Sequence, residues 1–171
     1  MGVTTALSVG SKFQTISKVL KISDVVESAV LAHVQGEVWL IDFWATWCPP
    51  CIAELPTLGA LQRAFPDTPF EVVAVSIDRV SERDNAISDL ADLAGGSLAF
   101  YHDPNYAMPF AIKARGVPTT VIYDQYGVER ARLPGEADWA SPEALGLVGA
   151  LIEDAQANPY VPTSTVRPPS E

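Results

Sequence analysis

The 171-residue chain holds two cysteines, Cys48 and Cys51, within the stretch FWATWCPPCIAELP at positions 43–56. Two thiols at this spacing could hold a soft metal, trade electrons as a dithiol and disulfide, or be incidental. The residues around them narrow the choice. The preceding run, VWLIDFW (38–44), is short, apolar and rich in β-formers, and reads as a buried strand. A helix is expected from about Pro49 to Phe65, with Leu55, Leu58, Leu61 and Phe65 along one side. Cys48 therefore sits where a strand hands over to a helix. Unpaired backbone N–H groups and the positive end of the helix dipole stabilise a thiolate there and lower its pKa. Pro49 and Pro50 fit the first turn, where a missing N–H costs little. Cys51 lies one turn on and can close a small ring with Cys48. Cys48, exposed at the helix start, is the expected nucleophile.

Metal chemistry fits less well. Zinc would need His33 and His102 beside the two thiolates, and their spacing matches no usual zinc pattern. Cu(I) favours thiolates, with Met108 or His102 as helpers, so a Cu(I) metallochaperone or a reductant for a copper-site protein stands as the alternative. No metal site is assigned. A peroxidase would want Thr three residues before its cysteine, and that position is Ala45.

Two acids are singled out. Asp42 lies mid-strand between Ile41 and Phe43, where a charge is costly unless paired or used. The alternative is a strand-end Asp facing solvent. Glu54 lies three residues after Cys51 and so shares its helix face. As a carboxylate it would raise a thiol pKa by like-charge repulsion. The bland alternative is an exposed glutamate serving solubility. Trp44 reads as core, and Trp47 as a lining of the substrate groove.

The elements that must position these residues follow from periodicity and turn chemistry. Helices are expected over 23–35, 49–65, 81–94, 104–114 and 142–157. Ser141 and Pro142 mark the start of the last. Strands are expected over 38–44, 70–77, 97–101, 119–124 and 128–133, the last two joined by a turn at Gln125-Tyr126-Gly127. Strands alternating with helices, then a hairpin, imply an α/β fold with one mixed central sheet and helices on both faces. Residues 1–22 form an N-terminal extension, 23–157 the domain, and 158–171 a Pro-rich tail expected to be disordered.

A net charge of -10 and 48% apolar residues describe a globular chain and argue against a nucleic-acid or anionic-lipid binder. No stretch approaches the length of a membrane helix, and the N-terminus does not read as a signal peptide.

The segment DFWATWCPPC resembles the active-site segment of the thioredoxin fold, and RGVPTTVIYDQYG (115–127) resembles the later segment that carries its cis-proline. More narrowly, Trp47, Cys48, Pro50, Cys51, Glu54 and Pro56 match the pattern of the membrane-anchored extracytoplasmic branch, the TlpA-like, ResA-like and cytochrome-c-biogenesis thiol–disulfide proteins. The resemblance implies a three-layer thioredoxin-like fold and a protein-disulfide oxidoreductase with no cofactor beyond the Cys48–Cys51 pair. It implies that Asp42 relays protons to Cys51. It also implies that the Val117–Pro118 peptide is cis, leaving the Val117 backbone free to pair with substrate. The implied partners are disulfide-containing or dithiol proteins and a membrane electron donor, not nucleic acid. The implied location is the periplasm or cell envelope, the alternative being cytoplasmic.

Overall fold

The computed structural model describes residues 36–161. The whole N-terminal segment 1–35, with the helix expected over 23–35, and residues 162–171 of the Pro-rich tail lie outside the described residues. In chain order the elements are β1 (Val38–Trp44), α1 (Pro49–Ala64), β2 (Phe70–Ser76), a 3-10 turn (Val80–Glu82), α2 (Arg83–Leu93), β3 (Phe100–His102), α3 (Ala107–Ala111), β4 (Thr119–Tyr123), β5 (Glu129–Pro134) and α4 (Pro142–Ala157).

One five-stranded sheet has the order β3-β2-β1-β4-β5. β1 runs parallel to β2 and antiparallel to β4, and β2 runs parallel to β3. The β4–β5 hairpin turns at Asp124–Gly127, with Asp124 Oδ1 accepting from the N–H groups of Tyr126 and Val128. β1 is therefore the central strand and is buried along its whole length, as its unbroken apolar run requires. Successive side chains alternate between the faces. Leu40, Asp42 and Trp44 share one face with the helices, where Leu40 and Trp44 join Leu55, Leu58 and Leu61 of α1, Leu90 of α2 and Leu151 of α4 in the larger core. Trp39, Ile41 and Phe43 point to the other face and pack with Val73, Val121, Ile112 and Met108 of the α3 region. The result is the mixed α/β sheet with helices on both faces expected from the sequence, a thioredoxin-like fold.

Two local departures and one close approach have physical causes. The strand expected over 97–101 lies at 100–102, because Gly95 and Gly96, both at positive φ, and the Ser97 side chain bonded to the Ala94 carbonyl extend the exit from α2. The helix expected over 104–114 shrinks to five residues. Tyr106 takes a left-handed conformation at its start, and Pro109 cannot donate within it. Gly59 is required by close approach: a Cβ there would stand 2.5 Å from the Ala94 carbonyl oxygen, so α1 can lie against the end of α2 only without a side chain at this point.

Candidate active site

Cys48 is the N-cap of α1, and Pro49 and Pro50 occupy its first turn. The two cysteines form a disulfide with a Cα–Cα distance of 5.3 Å. Cys48 Sγ also accepts the Cys51 N–H at 3.4 Å, so the sulfur sits over the unpaired donors of the helix start. Cys48 retains 4% of its surface and Cys51 none, which leaves Cys48 the more approachable sulfur. Trp47 beside it is 65% exposed.

The loop that delivers Trp47 and Cys48 is anchored by a residue the sequence reading did not single out. The buried Asp78 carboxylate accepts from Thr46 N–H (3.2 and 3.1 Å to its two oxygens), Thr46 Oγ1 (2.7 Å) and Ser76 Oγ (2.8 Å). Hydrogen bonds to a charged group are each worth about 1.5–3 kcal/mol, so this cluster is a strong clamp. Its signal was faint. A lone Asp after a strand shows nothing of Thr46, which is 32 positions away.

Asp42 and Glu54 meet between β1 and α1. Asp42 is fully buried and accepts from Thr120 Oγ1 at 2.9 Å. Glu54 is 2% exposed, so the solubility role is excluded. Its Oε2 accepts from Ala137 N–H (3.1 Å) and Trp139 Nε1–H (3.3 Å). The remaining oxygens, Asp42 Oδ2 and Glu54 Oε1, have no other donor among the described residues. The two carboxyls interact across this interface, and two carboxyls this buried can bond one another only with a proton between them. Burial pushes the Asp42 carboxyl up to about 7, against the hydrogen bonds from Thr120 and Glu54. Burial, then the Asp42 charge, pushes Glu54 up to about 9, so Glu54 is the donor. This changes the expected electrostatics: near neutral pH Glu54 holds its proton and exerts no standing repulsion on a thiolate. Glu54 also lines a cavity of about 270 Å³ with Ala53, Thr57, Glu136, Ala137 and Asp138.

The Val117–Pro118 peptide is cis. Gly116 and Val117 line a groove of about 460 Å³ with Trp47, Ile77, Arg79 and Tyr106. The fold thus brings the two segments 43–56 and 115–127 to one surface. The proposed metal helpers are engaged elsewhere. His102 Nε2 lies 2.8 Å from the Asp78 carbonyl oxygen, and Met108 packs on the smaller core. Among the described residues, no cluster of three or more His, Cys, Asp and Glu side chains could hold a metal ion.

The family model described as Redoxin matches residues 8–145. The chain belongs to the Redoxin family. This Redoxin chain is 32% identical over 109 residues to the thiol-disulfide oxidoreductase ResA of Oceanobacillus iheyensis, covering 63% of this chain and 55% of that one. It is also 32% identical over 104 residues to the thiol:disulfide interchange protein DsbE of Vibrio cholerae, covering 61% and 53%. The chain thus matches little more than half the length of these relatives. Among solved structures it resembles a candidate thiol:disulfide interchange protein DsbE from Chlorobium tepidum, with a TM-score of 0.59 at 27% identity, covering 73% of this chain and 84% of that one. The matched Redoxin segment spans every site residue named above, from Asp42 to Trp139.

Proposed function

We propose that the protein is a thiol–disulfide oxidoreductase that reduces disulfides of partner proteins in the cell envelope. The observation that carries this reading is the Cys48–Cys51 pair at the start of α1, with the carboxyls of Asp42 and Glu54 buried between β1 and that helix. The activity in the names of the matched relatives supports it. The envelope location rests on the likeness of the Trp47–Pro56 motif to the extracytoplasmic branch. Among the described residues no helix is long and apolar enough to cross a membrane.

The Cys48 thiolate attacks one sulfur of a partner disulfide. A mixed disulfide forms and the other partner sulfur leaves as a thiolate, which takes up a proton. The Cys51 thiol then gives its proton to the Asp42–Glu54 pair and attacks Cys48 Sγ. The Cys48–Cys51 disulfide forms, the partner's second sulfur leaves as a thiolate and takes up a proton in its turn, and the partner departs as a dithiol. Two electrons pass from protein to partner without another cofactor. A carboxylate whose pKa lies near 7 suits the proton step, because it is partly ionised at neutral pH and its proton returns easily. Trp47 and Val117 hold the partner chain in the groove, where the Val117 backbone offers a short β-contact. An insulin-reduction assay tests the reading: the reduced protein precipitates the insulin B chain, and Cys48→Ala abolishes this. Titration of the reduced protein with Cu(I), with and without both cysteines, discriminates the copper alternative. Stoichiometric tight binding without disulfide exchange would favour the chaperone.

A further inference from the structure

The cations of the described residues divide sharply. Arg63 bonds Ala94 O and Ser97 Oγ, Arg83 pairs with Asp84, Arg130 with Asp124 and Arg132 with Glu129. Arg79, Lys113 and Arg115 make no ion pair or side-chain hydrogen bond with any described residue. All three belong to the loops that flank the groove beside the disulfide. Arg79 lines it directly, and Arg115 immediately precedes the lining residues Gly116 and Val117. The rest of the lining is apolar or aromatic, from Trp47, Ile77 and Tyr106. In a chain of net charge -10, the unpaired cations among the described residues thus gather around the groove beside the disulfide.

We infer that this groove selects partner segments in which a carboxylate side chain flanks the reacting cysteine, with Arg79 as the recognising group and Arg115 supporting it. This rests on the exchange activity proposed above and specifies its substrate class. The net charge pulls the other way, since a distant negative field favours basic partners. It is screened beyond about 8 Å at physiological salt, whereas a contact between Arg79 and a carboxylate lies inside that length and weakens only as the salt is raised further. The contact therefore decides. An exposed ion pair is worth up to about fivefold in an equilibrium or rate ratio. Exchange balances as protein dithiol plus peptide disulfide giving protein disulfide plus peptide dithiol, with two electrons and two protons passing to the peptide.

The test uses three synthetic peptides with one internal disulfide loop and Glu, Gln or Lys beside the reacting cysteine. Each is mixed with the reduced full chain in single-turnover experiments. The Glu peptide should react about fivefold faster than the Gln peptide, and the Lys peptide slowest. Salt at 0.5 M (on the order of a 4 Å screening length) should collapse the order. Arg79→Glu should invert the Glu-to-Lys ratio, and a ratio within one variant is not altered by partial misfolding. If Arg79→Glu does not fold, the salt series on the unaltered protein still decides. Equal rates for the three peptides, or a Lys preference, would overturn the inference and leave the exchange reading intact. No reaction with any peptide would overturn both.

Discussion

Asp42 and Glu54 face one another as buried, interacting carboxyls, each with one oxygen that has no other hydrogen-bond partner among the described residues, across the interface of the central strand and the active-site helix. Asp42 is tied to β4 through Thr120, and Glu54 to the 135–141 loop through Ala137 and Trp139. The pair is thereby held by β1, β4, α1 and the 135–141 loop rather than by one flexible side chain.

This pair sets a pH dependence of stability. Both folded-state values, about 7 and about 9, are raised above the unfolded 3.8 and 4.5. The folded protein therefore holds protons that the unfolded chain has released. Its stability is full below about pH 4 for these two groups and falls as pH rises to about 9. In the disulfide form, wild type should melt lower at pH 8 than at pH 5. Asp42→Asn or Glu54→Gln should raise the pH 8 melting temperature by several degrees, corresponding to a few kcal/mol. Thermal melts at the two pH values check this. Parallel pH profiles for wild type and both variants would show that no shared proton exists.

The Asp78 clamp predicts a different outcome. Asp78→Ala leaves Thr46 N–H and two hydroxyls without their acceptor and should cost about 2–4 kcal/mol. Insulin reduction should also slow, because Trp47 and Cys48 lose their tether. Asp78→Asn keeps one acceptor oxygen and should lose less of both. If Asp78→Ala melts like wild type, the clamp does not hold the loop.

Trp47 is exposed, so Trp47→Ala should change stability by no more than about 0.5 kcal/mol. It should slow reduction of insulin several-fold by removing a wall of the groove. A large drop in melting temperature with unchanged insulin reduction would reassign Trp47 from partner contact to packing.

The segments nearest the chemistry were the most legible in the sequence. The apolar run 38–44 gave β1 its bounds. Ser141-Pro142 predicted α4, whose cap is the Ser141 Oγ accepting from Ala144 N–H at 3.3 Å. Local signals of this kind rest on neighbours in the chain. What was not legible depends on distant neighbours. Glu54 meets Trp139 across 85 positions and Thr46 meets Asp78 across 32, and no periodicity encodes either. The proton state of Glu54 was out of reach for the same reason. It follows from burial against Asp42, which only the sheet order and the seat of α1 bring about. The short α3 reflects local strain at Tyr106 that a helical pattern does not reveal.

The roles of the cysteines predict their reactivities. Cys48, the less buried sulfur at the helix start, should alkylate faster than Cys51 near neutral pH in the reduced protein. Cys51→Ala should accumulate mixed disulfides at Cys48 that peptide mass mapping detects. Faster labelling of Cys51 would reverse the assignment.

The central claim is that Cys48 and Cys51 form a reducing couple, and the most direct measurement is its reduction potential by equilibration in dithiol buffers. A strongly oxidising couple arises when the reduced form's thiolate is stabilised. Here the buried ionisable groups across the β1–α1 interface are the two carboxyls of Asp42 and Glu54, so the helix dipole acts without cationic help from that layer. The account predicts a reversible two-electron couple nearer about -270 mV than about -120 mV. A value near -120 mV, or a pair that dithiothreitol in excess leaves oxidised, would contradict it.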